Sequence, residues 1–135
     1  MMDSIIKLYQ SFSKYKKDSY SDLYYHIHPS INLNQYKVFN EGNKIYGFVN
    51  WAFLSDSVAE QYKKTGTLYK WEWQTGKNLW LYDIIIKKNP KEVMSWVYNY
   101  FKEYLKVNQS IHWLRLDSDN NVYRIGQKFK REFHG

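Results

Sequence analysis

The chain has no cysteine among its 135 residues, which excludes disulfides, thiolate nucleophiles, Cys-ligated zinc and iron–sulfur clusters. Glycine (6) and proline (2) are scarce and dispersed. Neither GxGxxG nor GxxxxGK occurs, so the loops that cradle nucleotide phosphates are not indicated, and there is no Gly-x-Ser-x-Gly nucleophile elbow. No apolar run approaches the roughly 18 residues of a membrane span. Met1-Met2-Asp3-Ser4-Ile5-Ile6-Lys7 lacks the basic start and long apolar stretch of a signal peptide. The expectation is a soluble, cytoplasmic protein with no tightly bound cofactor and no metal.

Arginine is scarce too, with 3 residues against 17 lysines, while Asp and Glu together number 13. The formal charge of +7 predicts attraction to acidic protein, nucleic acid or anionic lipid, mostly through point charges rather than bidentate forks. Aromatics are abundant at 20%, including 14 Tyr and 6 Trp. That is more than a small core needs, so some are expected to be partly exposed or to line a cleft. Length and composition suit one domain.

Apolar residues at Ile5, Ile6, Leu8, Tyr9 and Phe12 have helical spacing, predicting a helix from Asp3 to about Tyr15. A second short helix is expected over Tyr20 to His28, ending near Pro29. Gln35 to Asn40 and Lys44 to Leu54 read as a hairpin around Glu41-Gly42-Asn43. Ser57-Val58-Ala59-Glu60 matches a capping box for a short helix that Gly66 stops. Leu79 to Ile86 is a nearly continuous apolar strand, of the kind buried on both faces. Pro90 to Lys106 then reads as a long helix, followed by strands over Ile111 to Leu116 and Val122 to Ile125, with a turn at Asp117 to Asn121. A strand, helix, strand order of this kind predicts a crossover between parallel strands. The fold class is α/β, a mixed central sheet flanked by helices.

Asp83 interrupts the apolar strand. A buried carboxylate is costly unless paired, and perturbed carboxylates concentrate at functional sites. The histidines, His26, His28, His112 and His134, are the side chains suited to proton transfer near neutrality. His26 and His28 would form a metal pair only in an extended segment. The basic aromatic segment Tyr123 to His134, with Lys128, Lys130 and Arg131, is either a solvated face, a nucleic-acid contact or a dock for an acidic carrier protein.

Several segments together resemble the toxin-activating lysine acyltransferases, which attach fatty acyl groups to lysines of RTX toxins. They are Asn34-Gln35-Tyr36, Tyr46-Gly47-Phe48-Val49-Asn50-Trp51-Ala52-Phe53-Leu54-Ser55, Trp73-Gln74-Thr75-Gly76, Leu79-Trp80-Leu81-Tyr82-Asp83, Arg115-Leu116-Asp117 and Glu132-Phe133-His134-Gly135. The resemblance implies a single-domain GNAT-like fold, acyl-acyl carrier protein as donor and a protein lysine as acceptor, with toxin activation as the setting. A homodimer is compatible with it and nucleic acid is the less expected partner, a basic nucleic-acid-binding domain being the alternative that the charge alone offers. Residue by residue, the family's catalytic Asp falls on Asp83, whereas its catalytic His falls on Tyr15, in a stretch without histidine. Either His26 or His28 reaches the site, or Tyr15 takes over, or activity is lost and a protein-binding module remains. Asp83, Tyr15 and His28 form the candidate catalytic set. The family's Pro-Phe-Gly after the Asp strand is replaced by Lys87-Lys88-Asn89-Pro90. The abundance of Lys, Asn, Ile and Tyr is compatible with an AT-rich genome, for example a phage's.

Acyl transfer to lysine must remove a proton from an ammonium of ordinary pKa about 10.4 and stabilise a tetrahedral oxyanion. A His held by Asp83 would serve as base; a Tyr, itself near pKa 10, is better suited to donating a hydrogen bond.

Overall fold

A computed structural model describes residues 1–106, 109–116 and 122–133. Its elements are α1 (Met2–Gln10), α2 (Tyr20–Asn32), β1 (Tyr36–Glu41), β2 (Lys44–Leu54), α3 (Asp56–Thr65), β3 (Asn78–Ile86), α4 (Pro90–Tyr104), β4 (Ser110–Leu116) and β5 (Val122–Phe129), ending in a 3₁₀ turn at Lys130–Glu132. The five strands form one sheet in the order β1-β2-β3-β4-β5. All neighbours are antiparallel except β3 and β4, which run parallel through the α4 crossover. This is the mixed-sheet α/β architecture of a single-domain GNAT-like fold. Among the described residues no helix is long and apolar enough to cross a membrane.

Helices cover both faces. Val93, Val97 and Phe101 of α4 pack on Val49, Trp51, Leu79 and Leu81. On the opposite face Ile5, Ile6, Leu8 and Tyr9 of α1 and Leu23 and Ile27 of α2 pack on Phe48 and Ile85. Beside them Ala59 and Tyr62 of α3 meet Ala52, Leu54 and Trp80. The excess aromatics divide as composition requires: Trp73 and Trp80 are buried, whereas Tyr25 and Trp71 are about two-thirds exposed at 71% and 68%.

Four boundaries differ from the sequence reading, each for a local reason. The first helix stops at Gln10 because Ser11 bonds back to the Leu8 carbonyl and the chain tightens into i→i+3 turns, Phe12 to Tyr9 and Tyr15 to Phe12. The second helix runs through Pro29 to Asn32; the lost backbone bond is offset by burying Ile27, Pro29 and Ser30. The third helix is capped by Ser55, not Ser57. Ser55 has the extended backbone (φ −68°, ψ 164°) that aims its hydroxyl at the Val58 N–H. The last strand continues to Phe129 because Gly126 faces Trp113 across the ladder. A Cβ on Gly126 would come within 2.1 Å of the indole, so glycine lets the ring lie against β5. The expected turn at 117–121 and His134 lie outside the described residues.

β3 pairs with β4 at Leu79–Ile111, Trp80–His112 and Leu81–Trp113, and among the described residues no pair follows. Past Leu81 the two strands part. The gap opens an apolar cleft of about 590 Å³ under α4, lined by Leu81, Tyr82, Ile84, Val97, Phe101 and Trp113 among others. Divergence beyond the carboxyl ends of parallel strands is where open α/β sheets usually take their ligands.

Candidate active site

Asp83 sits two residues past the last β3–β4 pair, Leu81–Trp113. Its side chain is 11% exposed, so the carboxylate needs partners, and His26 and Tyr9 supply them. His26 Nε2 lies 2.7 Å from Asp83 Oδ2, and the Tyr9 hydroxyl donates to the same oxygen at 2.7 Å. Tyr9 comes from the buried face of α1 and His26 from α2, so both helices of that face converge on one carboxylate.

Charge follows from this geometry. Burial alone would raise the Asp83 pKa, but the His26 charge and the hydrogen bonds from His26 and Tyr9 outweigh it and hold the carboxyl below its ordinary value. Burial alone would likewise lower the His26 pKa, but the Asp83 charge and hydrogen bond outweigh it and leave the imidazole raised. The two directions agree: each partner favours the charged form of the other. His26 retains 28% exposure, so a substrate can approach a ring whose Nε2 is occupied by Asp83 and whose Nδ1 remains to exchange a proton.

The surrounding phenols are held neutral. Burial, followed by the Asp83 charge, raises the pKa of Tyr9, Tyr15 and Tyr82. Tyr15 is carried to the site by the turns that end α1; its ring lies 5.0 Å from Tyr9 and 6.0 Å from His26. Tyr82 flanks His26 on the other side at 5.3 Å and also lines the apolar cleft. The proton-transfer pair and the cleft therefore share a wall.

Among the residues singled out from the sequence, Asp83 and Tyr15 are at this site and His28 is not. Counting 100° per residue, His26 lies 60° from Leu23 and 40° from Ser30, on the inward side of α2. His28 is 140° and 160° from them, and it stacks on Tyr24 at 5.0 Å instead. The same helix removes the extended segment that a His26–His28 metal pair would require. His112 stacks on Trp80 and its Nδ1 lies 3.3 Å from the Leu79 carbonyl oxygen, with burial lowering its pKa. In the basic segment, Lys128 sits over the rings of Tyr98 and Phe133, at 5.0 and 4.9 Å, and Lys130 donates to the Lys102 carbonyl. The sequence reading missed Tyr9 as a partner of Asp83. Its tyrosine hydroxyl on an otherwise aliphatic buried stripe was the available signal.

A carboxylate–imidazole pair beside an apolar cleft is compatible with several chemistries, and comparison with known proteins decides among them. The model of the RTX toxin acyltransferase family matches residues 1–129. The chain belongs to that family. It is also 32% identical over 121 residues to the uncharacterized protein sll0720 of Synechocystis sp., an alignment covering 86% of this chain and 78% of that one. Asp83 and His26 are the coupled ionisable pair at the centre of this site. Tyr15 is a neutral phenol within their reach.

Proposed function

We propose that the protein moves a fatty acyl group from acyl-acyl carrier protein to a lysine of a target protein, with His26 as general base and Asp83 as the group that orients it. The observation that carries this reading is the 2.7 Å His26–Asp83 contact beside Tyr82, which also lines the apolar cleft. The lysine amine nitrogen attacks the thioester carbonyl carbon, forming the C–N bond and an oxyanion. His26 Nδ1 takes the amine proton, and Asp83 stabilises the imidazolium and fixes the tautomer. Collapse breaks the C–S bond, and the proton passes from His26 to the departing thiolate. Tyr15, its phenol kept protonated, donates to the oxyanion or the leaving sulfur.

The cleft between β3 and β4 suits the acyl chain, because each CH₂ removed from water there contributes about 0.8 kcal/mol. The surplus of lysines suits docking of an acidic carrier protein. Intact-mass analysis of a candidate target incubated with the enzyme and acyl-acyl carrier protein tests the reading. One acyl adduct per acceptor site, lost with Asp83→Asn, is expected; no adduct, or an adduct indifferent to that substitution, overturns it.

A further inference from the structure

Asp83 faces His26 only because β3 contains a bulge. Along the strand, Leu79, Leu81, Ile84 and Ile86 belong to the α4 face, whereas Trp80, Tyr82 and Ile85 belong to the other. Strict alternation from Leu81 would put Asp83 on the α4 face, away from α1 and α2. The register shows what intervenes. Asn50 pairs with Asp83 but Trp51 pairs with Leu81, so Tyr82 is one residue extra on β3. Tyr82 and Asp83 thus point consecutively to the same face, which is how a bulge re-aims a side chain.

A bulge disrupts the ladder locally, and a buried N–H left without a partner is costly. Here the Asp83 N–H donates to a side chain, Asn50 Oδ1, at 2.8 Å. Asn50 is fully buried. Its amide nitrogen donates in turn to Ser30 Oγ at 3.0 Å, and the Ser30 hydroxyl donates to the Ile27 carbonyl at 2.9 Å. Ser30 and Ile27 belong to the stretch of α2 that carries His26. One amide therefore grips the bulge that turns Asp83 and the helix that presents His26.

We infer that Asn50, with Ser30, is the positioning residue of this site: it holds the β3 bulge in register and fixes α2 against it, so that Asp83 and His26 meet. Its importance for catalysis rests on the acyl-transfer reading above, but its structural claim does not. Asn50 touches neither reacting partner and acts through Asp83 and α2.

The test is an NMR titration of the His26 ring in the full chain, which reads the geometry without turnover. In Asn50→Leu, which keeps the branched shape and removes both bonds, the His26 pKa is expected to fall from above its ordinary value of 6.5 to below it, since burial then acts without Asp83. Ser30→Ala, a smaller change, is expected to lower it part of the way and to speed exchange of the Asp83 amide. Val97→Ala on the opposite face should reduce thermal stability and leave the His26 titration in place. A folded Asn50→Leu protein whose His26 still titrates as in the wild type overturns the inference. If Asn50→Leu does not fold, Ser30→Ala decides alone: an unchanged His26 titration and unchanged Asp83 amide exchange overturn it. Because acyl adducts are scored separately, loss of the acyl-transfer reading would leave these outcomes standing, and the reverse holds too.

Discussion

The two faces of the sheet are built from different chemistry. Under α4, Val49, Trp51, Leu79, Leu81, Val93, Val97 and Phe101 make an aliphatic and aromatic layer. Under α1 and α2 the apolar cluster of Ile5, Leu23, Ile27 and Phe48 surrounds buried polar groups: Asp83, His26, Tyr9, Asn50 and Ser30. The first face can be satisfied by area and shape alone. The second must satisfy each donor and acceptor, because a buried polar group without a partner costs about 1–3 kcal/mol. A single extra residue in β3 decides which face receives the carboxylate. Stability and chemistry are thereby separated across one strand, and substitutions should sort by face.

The largest effect is expected for the pair itself. Asp83→Asn keeps the shape and removes the charge, and His26→Ala removes the base; either should lower acyl transfer by about 10²–10⁴-fold, the usual contribution of positioned acid–base groups. Transfer rates read by intact mass at matched protein concentration check this, and a loss below about tenfold in both would place the base elsewhere. Phe101→Ala is the counterpart on the other face. Phe101 is fully buried against Trp51 and Trp96, and its truncation should cost about 3–5 kcal/mol of stability. A chemical denaturation curve measures that cost, while the His26 titration should keep its raised midpoint; a midpoint that collapses would mean that the faces are not independent.

The pH dependence sharpens the same contrast. A base with a raised pKa is deprotonated only above it, so transfer should rise with pH through a midpoint above 6.5, and residual transfer in Asp83→Asn should show that limb displaced to lower pH. Stability runs differently. The raised His26 contributes stability that is full below 6.5 and is lost as pH rises through the folded value. The lowered Asp83 contributes stability that is full above 3.8 and is lost as pH falls through the folded value. The pair's contribution is therefore whole between about pH 4 and 6.5, the acid side of the range where transfer is fast. Thermal melts of wild type and Asp83→Asn across pH 3 to 9 should differ most inside that window, and a difference independent of pH would show that the pair is not ionised in the folded state.

The sheet was legible in the sequence where pattern and local chemistry agree. Lys44 to Leu54 and Leu79 to Ile86 read as strands because their runs are β-branched and aromatic, and the parallel β3–β4 pairing follows from the intervening amphipathic helix. Asp83 was legible because a carboxylate within an apolar run demands a partner. Its partner was harder to read. The bulge at Tyr82 leaves no mark in composition, since Tyr82-Asp83 is equally compatible with unbroken alternation, and the amide that stabilises it lies 33 positions away on β2. The helix C-terminal to Tyr20 was read as ending at Pro29, which removed Ser30 from its inward face and with it the reference that separates His26 from His28.

That last distinction yields the smallest expected effect and the cleanest use of the comparison. His28 differs from His26 by two positions on one helix, carries the same ring, and stacks on Tyr24 in place of Asp83. His28→Ala should leave acyl transfer within about twofold of the wild type and change stability by no more than about 0.5 kcal/mol, as for substitutions outside a buried network. Tyr15→Phe falls between the two histidines. Removing the hydroxyl leaves the ring packed on Tyr9 and deletes one donor near the reacting carbonyl, so a loss of about tenfold, borne by kcat rather than KM, is the expected outcome. Steady-state transfer assays of the three variants therefore rank the helix positions by geometry alone. If His28→Ala proved as damaging as His26→Ala, α2 would have to be rotated by about half a turn from the orientation that the Asn50–Ser30 bond holds, and the face on which Asp83 lies would have to change with it.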